Sequence, residues 1–378
     1  MAQQQRTRFA EFDIGRAISI LGLPFVHVLE EGDLVGILPP GFLESHVFLL
    51  ALSAFGAPLF MACMGANMVF TRHSTPGELA RRGVELLIMG MLLNVGRLFL
   101  PDTLFGSIAA GEFTLSTEWI YDLAGCDIYD FAGLCFLSFA LFRKLRLSPK
   151  QILAIAAAAL VVGAYVLPYF FANPEETIQN RLMGRLFWMN EYSCSPLLTW
   201  LIFPALGYAY GSWFKSKDGD EARWQGMKKM MPVAAAVFAV TTVAVIASGQ
   251  DLLLVYASPA NSYITDIPNV ALVGSTLLFA ATLTHKIAIK IQGSRALAWF
   301  VRTSKGIIPY YTCQWICVCW LEYLIGDLGL QQYAMLNEWK YWLTSFAIVI
   351  VSLQFAKLWM AMKAKRKECG QESTAATA

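Results

Sequence analysis

A chain of 378 residues that is 57% hydrophobic and only 15% charged is too apolar for a soluble domain, in which roughly a quarter of residues are charged. The composition excludes a water-soluble globular protein and indicates an all-α polytopic membrane protein. A net charge of +2 says little as a total and becomes informative only once mapped onto loops; no nucleic-acid partner is expected.

Residues 1–10 are polar and hold no apolar core followed by a cleavage site, so no removable signal peptide is expected and the first helix serves as the insertion signal. Ten apolar segments then follow, near 14–29, 47–70, 83–100, 122–142, 151–171, 196–214, 231–249, 268–285, 306–326 and 341–362. Each is close to the ~20 residues that a spanning helix needs. Residues 1–362 thus read as one transmembrane domain of about ten helices. Residues 363–378 are basic and then Ser/Thr/Ala-rich, which predicts a disordered cytoplasmic tail.

The loops orient the bundle. Of the 29 lysines and arginines, Arg97, Arg181, Arg185 and Lys340 fall on one side, Arg16 and Lys357 fall within helices, and the rest lie on the other side. The positive-inside rule then places both termini in the cytoplasm. With this orientation the first external loop is acidic, holding Glu30, Glu31 and Asp33. The connections near 101–121 and 172–195 are longer than loops without a function usually are. The second of these carries Asn173, Asn180, Trp188, Asn190, Glu191 and Tyr192, a polar and aromatic mix suited to a sugar-like ligand or to a surface-lying amphipathic helix.

The first segment holds two ionisable residues, Arg16 and His27. Eleven steps of about 100° come within roughly 20° of three full turns, so both project from one helix face. At ~1.5 Å per residue they are roughly 16 Å apart along the axis. Ionisable groups inside membrane helices are costly and usually mark a site. A neutral imidazole at His27 suits a general base, or one ordinary hydrogen bond at the headgroup boundary. A guanidinium at Arg16 can bind phosphate bidentately, snorkel to headgroups, or pair with Asp13 three residues back.

Arg81 and Arg82 open the third helix on the same cytoplasmic side and suit the phosphates of a nucleotide-containing donor, or serve only to orient the helix. Glu85 and Asn94 lie deeper in that helix, where an unpaired polar group costs free energy. The fourth helix begins with Asp122, Asp127 and Asp130. One turn apart, Asp127 and Asp130 can both face the interior, to orient His27, bind a substrate amine or conduct ions. Their alternative is a pair of carboxylates at the external headgroups. Tyr311, Gln314 and Trp315 form a polar face in the ninth helix, with helix–helix adhesion as the plainer reading. No Ser-His-Asp order, HExxH, P-loop or GxGxxG motif is present, and the eight cysteines include no CxxC pair. The four histidines, His27, His46, His73 and His285, are scattered over both faces, so no metal site is expected.

Several of these blocks resemble a known superfamily. Arg16, ten intervening residues and His27, preceded by Phe12-Asp13, resemble the arginine–x10–histidine signature of the acyltransferase family 3 proteins, with Ala17 replacing the glycine that follows the arginine. The run from Gly56 to Ala66, with Pro58 and Phe60, is similar to the second helix of the heparan-α-glucosaminide N-acetyltransferase-like branch, and so is the stretch from Arg81-Arg82 to Leu92-Leu93-Asn94. Thr199 to Tyr208 and Tyr310 to Trp315 resemble two later blocks. The resemblance implies a membrane-embedded acyltransferase that takes an acyl group, often acetyl, from cytoplasmic acyl-CoA and delivers it to a sugar on the far side. With that implication His27 is a general base or transient acyl carrier, Arg16, Arg81, Arg82 and Asn94 serve the donor, and Asp127 and Asp130, from their own position, join His27 as candidate catalytic residues. In the N-acetyltransferase branch the catalytic histidine lies just after the first helix, which makes His46 the alternative. The expected partners are acetyl-CoA as co-substrate, a glycan acceptor, membrane lipid and a second copy of the chain as a homodimer. A bacterial inner membrane is the expected location. A secondary transporter of a small polar solute is the competing reading, with Asp127, Asp130, Glu85 and Arg16 as its relay.

Overall fold

The computed structural model describes residues 9–71, 74–116, 119–170, 177–187, 195–249 and 267–376. Asn173, Trp188, Asn190, Glu191, Tyr192 and His73 lie outside the described residues. Helices account for the regular structure, with no strand among the described residues. The principal ones are α1 (Ala10–Leu34), α2 (Val47–Phe70), α3 (Pro76–Asn94), α4 (Leu100–Ala110), α5 (Ile128–Lys144) and α6 (Pro149–Val161). They continue with α7 (Ile202–Lys215), α8 (Asp220–Ala247), α9 (Ile267–Lys290), α10 (Arg295–Lys305), α11 (Ile307–Asp327) and α12 (Glu338–Ala376).

Each of the ten apolar segments overlaps one of these helices. Six helices among the described residues are long and apolar enough to cross a membrane: α1, the joined α3–α4 rod, α6 with its extension, α8, α9 and α12. In α2 the apolar stretch Gly56–Phe70 is shorter. Helices α5 and α7 have 17 and 14 residues, while α11 is long enough but interrupts its apolar run with Gln314, Glu322 and Asp327. Helix α12 continues to Ala376, through the basic stretch where the sequence suggests disorder. Alanine, lysine, arginine and glutamate there are strong helix formers.

Helix α1 is the hub. It packs against α2, α9, α10, α11 and α12, so the helix bearing Arg16 and His27 lies inside the bundle. Two glycine pairs let neighbouring helices approach closely, the device expected where small residues rather than water drive packing. A Cβ on Gly65 of α2 would overlap the Pro204 carbonyl, and one on Gly207 of α7 would overlap the Ala62 carbonyl. Between α3 and α5, a Cβ on Gly83 would come within 2.8 Å of Gly133 O, and one on Gly133 within 2.9 Å of Gly83 O.

The rod formed by α3 and α4 passes through a π turn at Val95–Phe99. Such turns hold an extra residue and free a carbonyl from the helical ladder. Here Gly96 O is satisfied from outside by Trp320 Nε1 of α11, at 2.8 Å. The turn contains Arg97, the residue on which the middle of the site is built.

The close crossing of α2 and α7 yields a direct test. Gly207→Ala should destabilise the fold by about 1–3 kcal/mol through overpacking, read as a lowered midpoint of thermal unfolding in detergent. Gly106→Ala, inside α4 with open space around it, should leave that midpoint in place or raise it slightly, since alanine favours the helix over glycine.

Candidate active site

A cavity of about 1580 Å³ runs alongside α1, larger than the ~300–1,000 Å³ usual for a small-ligand pocket. Arg16 lines one end together with Arg81 and Arg82 of α3 and Lys305 of α10. The middle is apolar, formed by side chains including Ile20, Leu23, Phe60 and Met64. His27, Arg97, Asp127, Tyr311 and Trp315 line the far part, and beyond them Glu30, Glu31 and Glu322. Arg16 and His27, eleven residues apart on one face, therefore open into the same space.

The cationic end is already charge-paired. Arg16 donates to Asp13 Oδ1 at 2.7 Å, and Ser304 Oγ donates to the same oxygen at 2.6 Å. Glu85 receives both Arg81, at 3.0 Å, and Arg82, at 3.3 Å. Arg81 is 83% exposed and Arg82 39%, so both remain open to an incoming anion. Lys305 is exposed at the same mouth.

The far part is built around a buried ion pair. Arg97 Nη1 lies 3.0 Å from Asp127 Oδ2, with side-chain exposures of 7% and 1%. Two further bonds hold the guanidinium, from Nε to Asn94 Oδ1 and from Nη2 to Cys126 O, both at 3.1 Å. Tyr311 Oη donates to Asp127 Oδ2 at 2.9 Å. The guanidinium sits 4.8 Å from the centre of the Trp315 ring, a cation–π distance. Trp315 in turn stacks on His27, with centroids 3.9 Å apart and planes 22° from parallel. His27 Nδ1 lies 3.0 Å from Gln314 Oε1.

The structure separates the residues singled out in the sequence into two groups. Arg16, His27, Arg81, Arg82 and Asp127 line the cavity. Asn94 and Asp130 do not. Asn94 is fully buried and supports Arg97 from behind, while its amide donates to Leu123 O and Gly125 O.

The sequence starts the fourth helix at Asp122 and offers Asp127 and Asp130 either as inward carboxylates or as a helix-start pair; the structure moves the helix start to Asp127. Asp122 belongs to a separate short helix, Trp119–Leu123, and Asp127 is the N-cap of α5, accepting from Tyr129 N. Asp130 reaches back to the Asp127 backbone N–H at 3.0 Å and pairs with Arg185 at 3.5 Å. That reciprocal arrangement is a capping box, whose spacing of three is the same as one turn of helix.

His46 lies outside the cavity. Its ring stacks on Phe42 at 4.4 Å and its Nε2 faces Glu338 at 3.3 Å. Arg97 was counted in the sequence only as a charge on the external side. An arginine three residues after Asn94, at the end of an apolar run, was the signal, by the same reasoning that singles out Arg16. Lys305 carried no comparable signal. Among the described residues no group of three or more His, Cys, Asp or Glu is placed to hold a metal ion.

Residues 8–258 match the family model for the catalytic region of heparan-alpha-glucosaminide N-acetyltransferase. The chain belongs to that family. The match covers α1 to α8, and with them Arg16, His27, the α3 arginines, Arg97 and Asp127; Lys305, Tyr311, Gln314 and Trp315 lie beyond it. No curated protein and no solved structure matches the chain. Membership makes this a membrane acetyltransferase, in agreement with its apolar helices. The cavity holds a cationic end, an apolar middle and the imidazole of His27, in that order along α1.

Removing one partner from the buried pair should cost more than removing both. Asp127→Ala leaves the Arg97 charge uncompensated, a loss of about 3–5 kcal/mol. The double variant Arg97→Met/Asp127→Leu should recover most of it, measured as thermal unfolding in detergent.

Proposed function

We propose that the protein transfers an acetyl group from cytoplasmic acetyl-CoA to a carbohydrate hydroxyl or amine on the external face of a bacterial inner membrane. The single observation that carries this reading is the cavity that Arg16, Arg81, Arg82 and His27 share. In this reading α2, α5, α7 and α11 join the six long apolar helices as spans, making ten with both termini in the cytoplasm. The distribution of lysine and arginine over the loops supports that orientation.

Arg16, Arg81, Arg82 and Lys305 take the phosphates of the donor, displacing the carboxylates of Asp13 and Glu85 from their present pairs. The pantetheine arm follows the apolar middle of the cavity. Roughly 16 Å separates Arg16 from His27 by helical rise, a span of the order of that arm when extended, so the thioester reaches the imidazole without a large movement. His27 removes the proton from the acceptor as its oxygen or nitrogen attacks the thioester carbonyl. The new C–O or C–N bond forms, the C–S bond breaks with its electron pair on sulfur, and the imidazolium returns the proton to that thiolate. Transient acetylation of His27 itself is a two-step form of the same chemistry. Asp127 acts through Arg97, whose position over Trp315 holds the stacked ring. Glu30, Glu31 and Glu322 offer acceptors to the hydroxyl groups of an incoming sugar.

Acetyl-CoA binding and turnover by purified protein in detergent test this reading. His27→Ala should retain binding and lose turnover. Arg16→Ala should weaken binding about tenfold to a hundredfold, the worth of one charge-assisted hydrogen bond. A wild type with no affinity for acetyl-CoA overturns the proposal. The carboxylates at one end of a long cavity favour a secondary transporter as the second reading, and uptake of a small polar solute by proteoliposomes without acyl-CoA would establish it instead.

A further inference from the structure

The contact between His27 Nδ1 and Gln314 Oε1, at 3.0 Å, constrains where the imidazole proton sits. With the Gln314 amide turned so that its oxygen meets the ring, that oxygen only accepts, and the contact is a hydrogen bond when Nδ1 carries the proton. The lone pair of the neutral ring is then on Nε2. We infer that Gln314 is a positioning residue that holds His27 in its Nδ1–H tautomer and leaves Nε2 as the basic atom of the acetyl-transfer site. The inference rests on His27 being the base, as proposed above.

Three features of the geometry support it. Gln314 is 0% exposed and His27 8%, so neither group can exchange its partner for bulk water at will. The next residue, Trp315, stacks on the same ring, so consecutive residues of α11 fix the plane of the imidazole and its rotation. The orienting group is also an amide rather than a carboxylate. A carboxylate in that place would stabilise imidazolium and raise the basicity of the ring, whereas an amide sets the tautomer without adding charge. The base can then release its proton readily to the departing thiolate. The charged groups that share the cavity with the ring come from α1 (Glu30, Glu31), the π turn (Arg97), the start of α5 (Asp127) and α11 (Glu322). Of these, Arg97 and Asp127 neutralise each other within one ion pair.

Two substitutions and one spectrum test the assignment. Gln314→Leu removes the acceptor, and kcat should fall on the order of 10²-fold to 10⁴-fold, the range of a general-base contribution, with acetyl-CoA affinity unchanged. Gln314→Glu places a carboxylate against Nδ1–H. The base is active only when unprotonated, so its raised basicity should move the acidic limb of kcat/KM to higher pH, with activity recovering in alkaline buffer. A residue that merely fills space would lower thermal stability in both variants and leave that limb in place. Ring-¹⁵N histidine spectra of the wild type, with the His27 signals identified by their loss in His27→Ala, should show protonated Nδ1 and bare Nε2. The reverse pattern overturns the inference, and this reading is available even when Gln314→Leu does not fold. An inactive His27→Ala beside a fully active Gln314→Leu defeats the inference about Gln314 alone. A fully active His27→Ala defeats the acetyl-transfer reading of this site itself.

Discussion

A guanidinium buried among apolar helices persists only where its charge and its N–H groups are met by other parts of the protein. Arg97 imposes that condition on the whole middle of this bundle. Its counter-charge comes from the N-cap of α5, its amide partner from the last residue of α3, and a carbonyl partner from Cys126. Helix α11 closes the arrangement through Tyr311 and Trp315. Three segments distant in sequence are thereby held in one register, and the imidazole of His27 is clamped against the third. The ion pair is best understood as a device for specifying this arrangement, because burying two charges contributes little net stability by comparison with apolar packing.

The two ends of the cavity are electrostatically opposite. At the Arg16 end each cation except Lys305 is tied to a carboxylate of its own helix, three or four residues away. The pairs of Arg81 and Arg82 with Glu85 are exposed and therefore weak, and can be exchanged for a stronger anion. A phosphate group offers that exchange, because its oxygens match the planar fork of arginine. At the other end, Glu31 of α1 and Glu322 of α11 meet through a side-chain hydrogen bond, with Glu30 lining the same part of the cavity. Helix α1 contributes to both ends, and its packing against five other helices keeps the distance between them constant.

How much of this could be read from the sequence depended on whether the relevant geometry was local. The stripe through Arg16 and His27 was legible because eleven residues close three helical turns, and both residues do open into one cavity. The pair Asp127 and Asp130 left two readings open, inward carboxylates or a helix start, for an equally local reason. A spacing of three serves a helix face and a capping box alike, and only the true start of α5 distinguishes them. Arg97 lay inside the apolar run of the third segment but was counted with the external charges, so its burial was missed. The partnership of His27 with Gln314 spans 287 positions and depends on how α1 and α11 pack, which no periodicity records. The resemblance was carried by short motifs in the first helices and by two later blocks, of which the second, Tyr310 to Trp315 on α11, lies outside the family match, as does α10.

The π turn at Val95–Phe99 has a consequence for how this chain can vary. Helices ordinarily tolerate gain or loss of residues at their ends because nothing downstream depends on angular phase. In the α3–α4 rod the phase is keyed on both sides. Loss of one residue from within the turn would remove its extra residue and restore the ordinary repeat with α4 near its present phase, whereas the same loss inside α3 would rotate everything beyond it by about 100°. Phe105, which meets Trp320 edge-on at 6.0 Å, would then swing away from α11, and the Gly96 carbonyl would leave the indole. A single codon deletion between Leu87 and Leu93 would act on the site as a screw thread slipping by one tooth, with no side chain of the cavity itself altered.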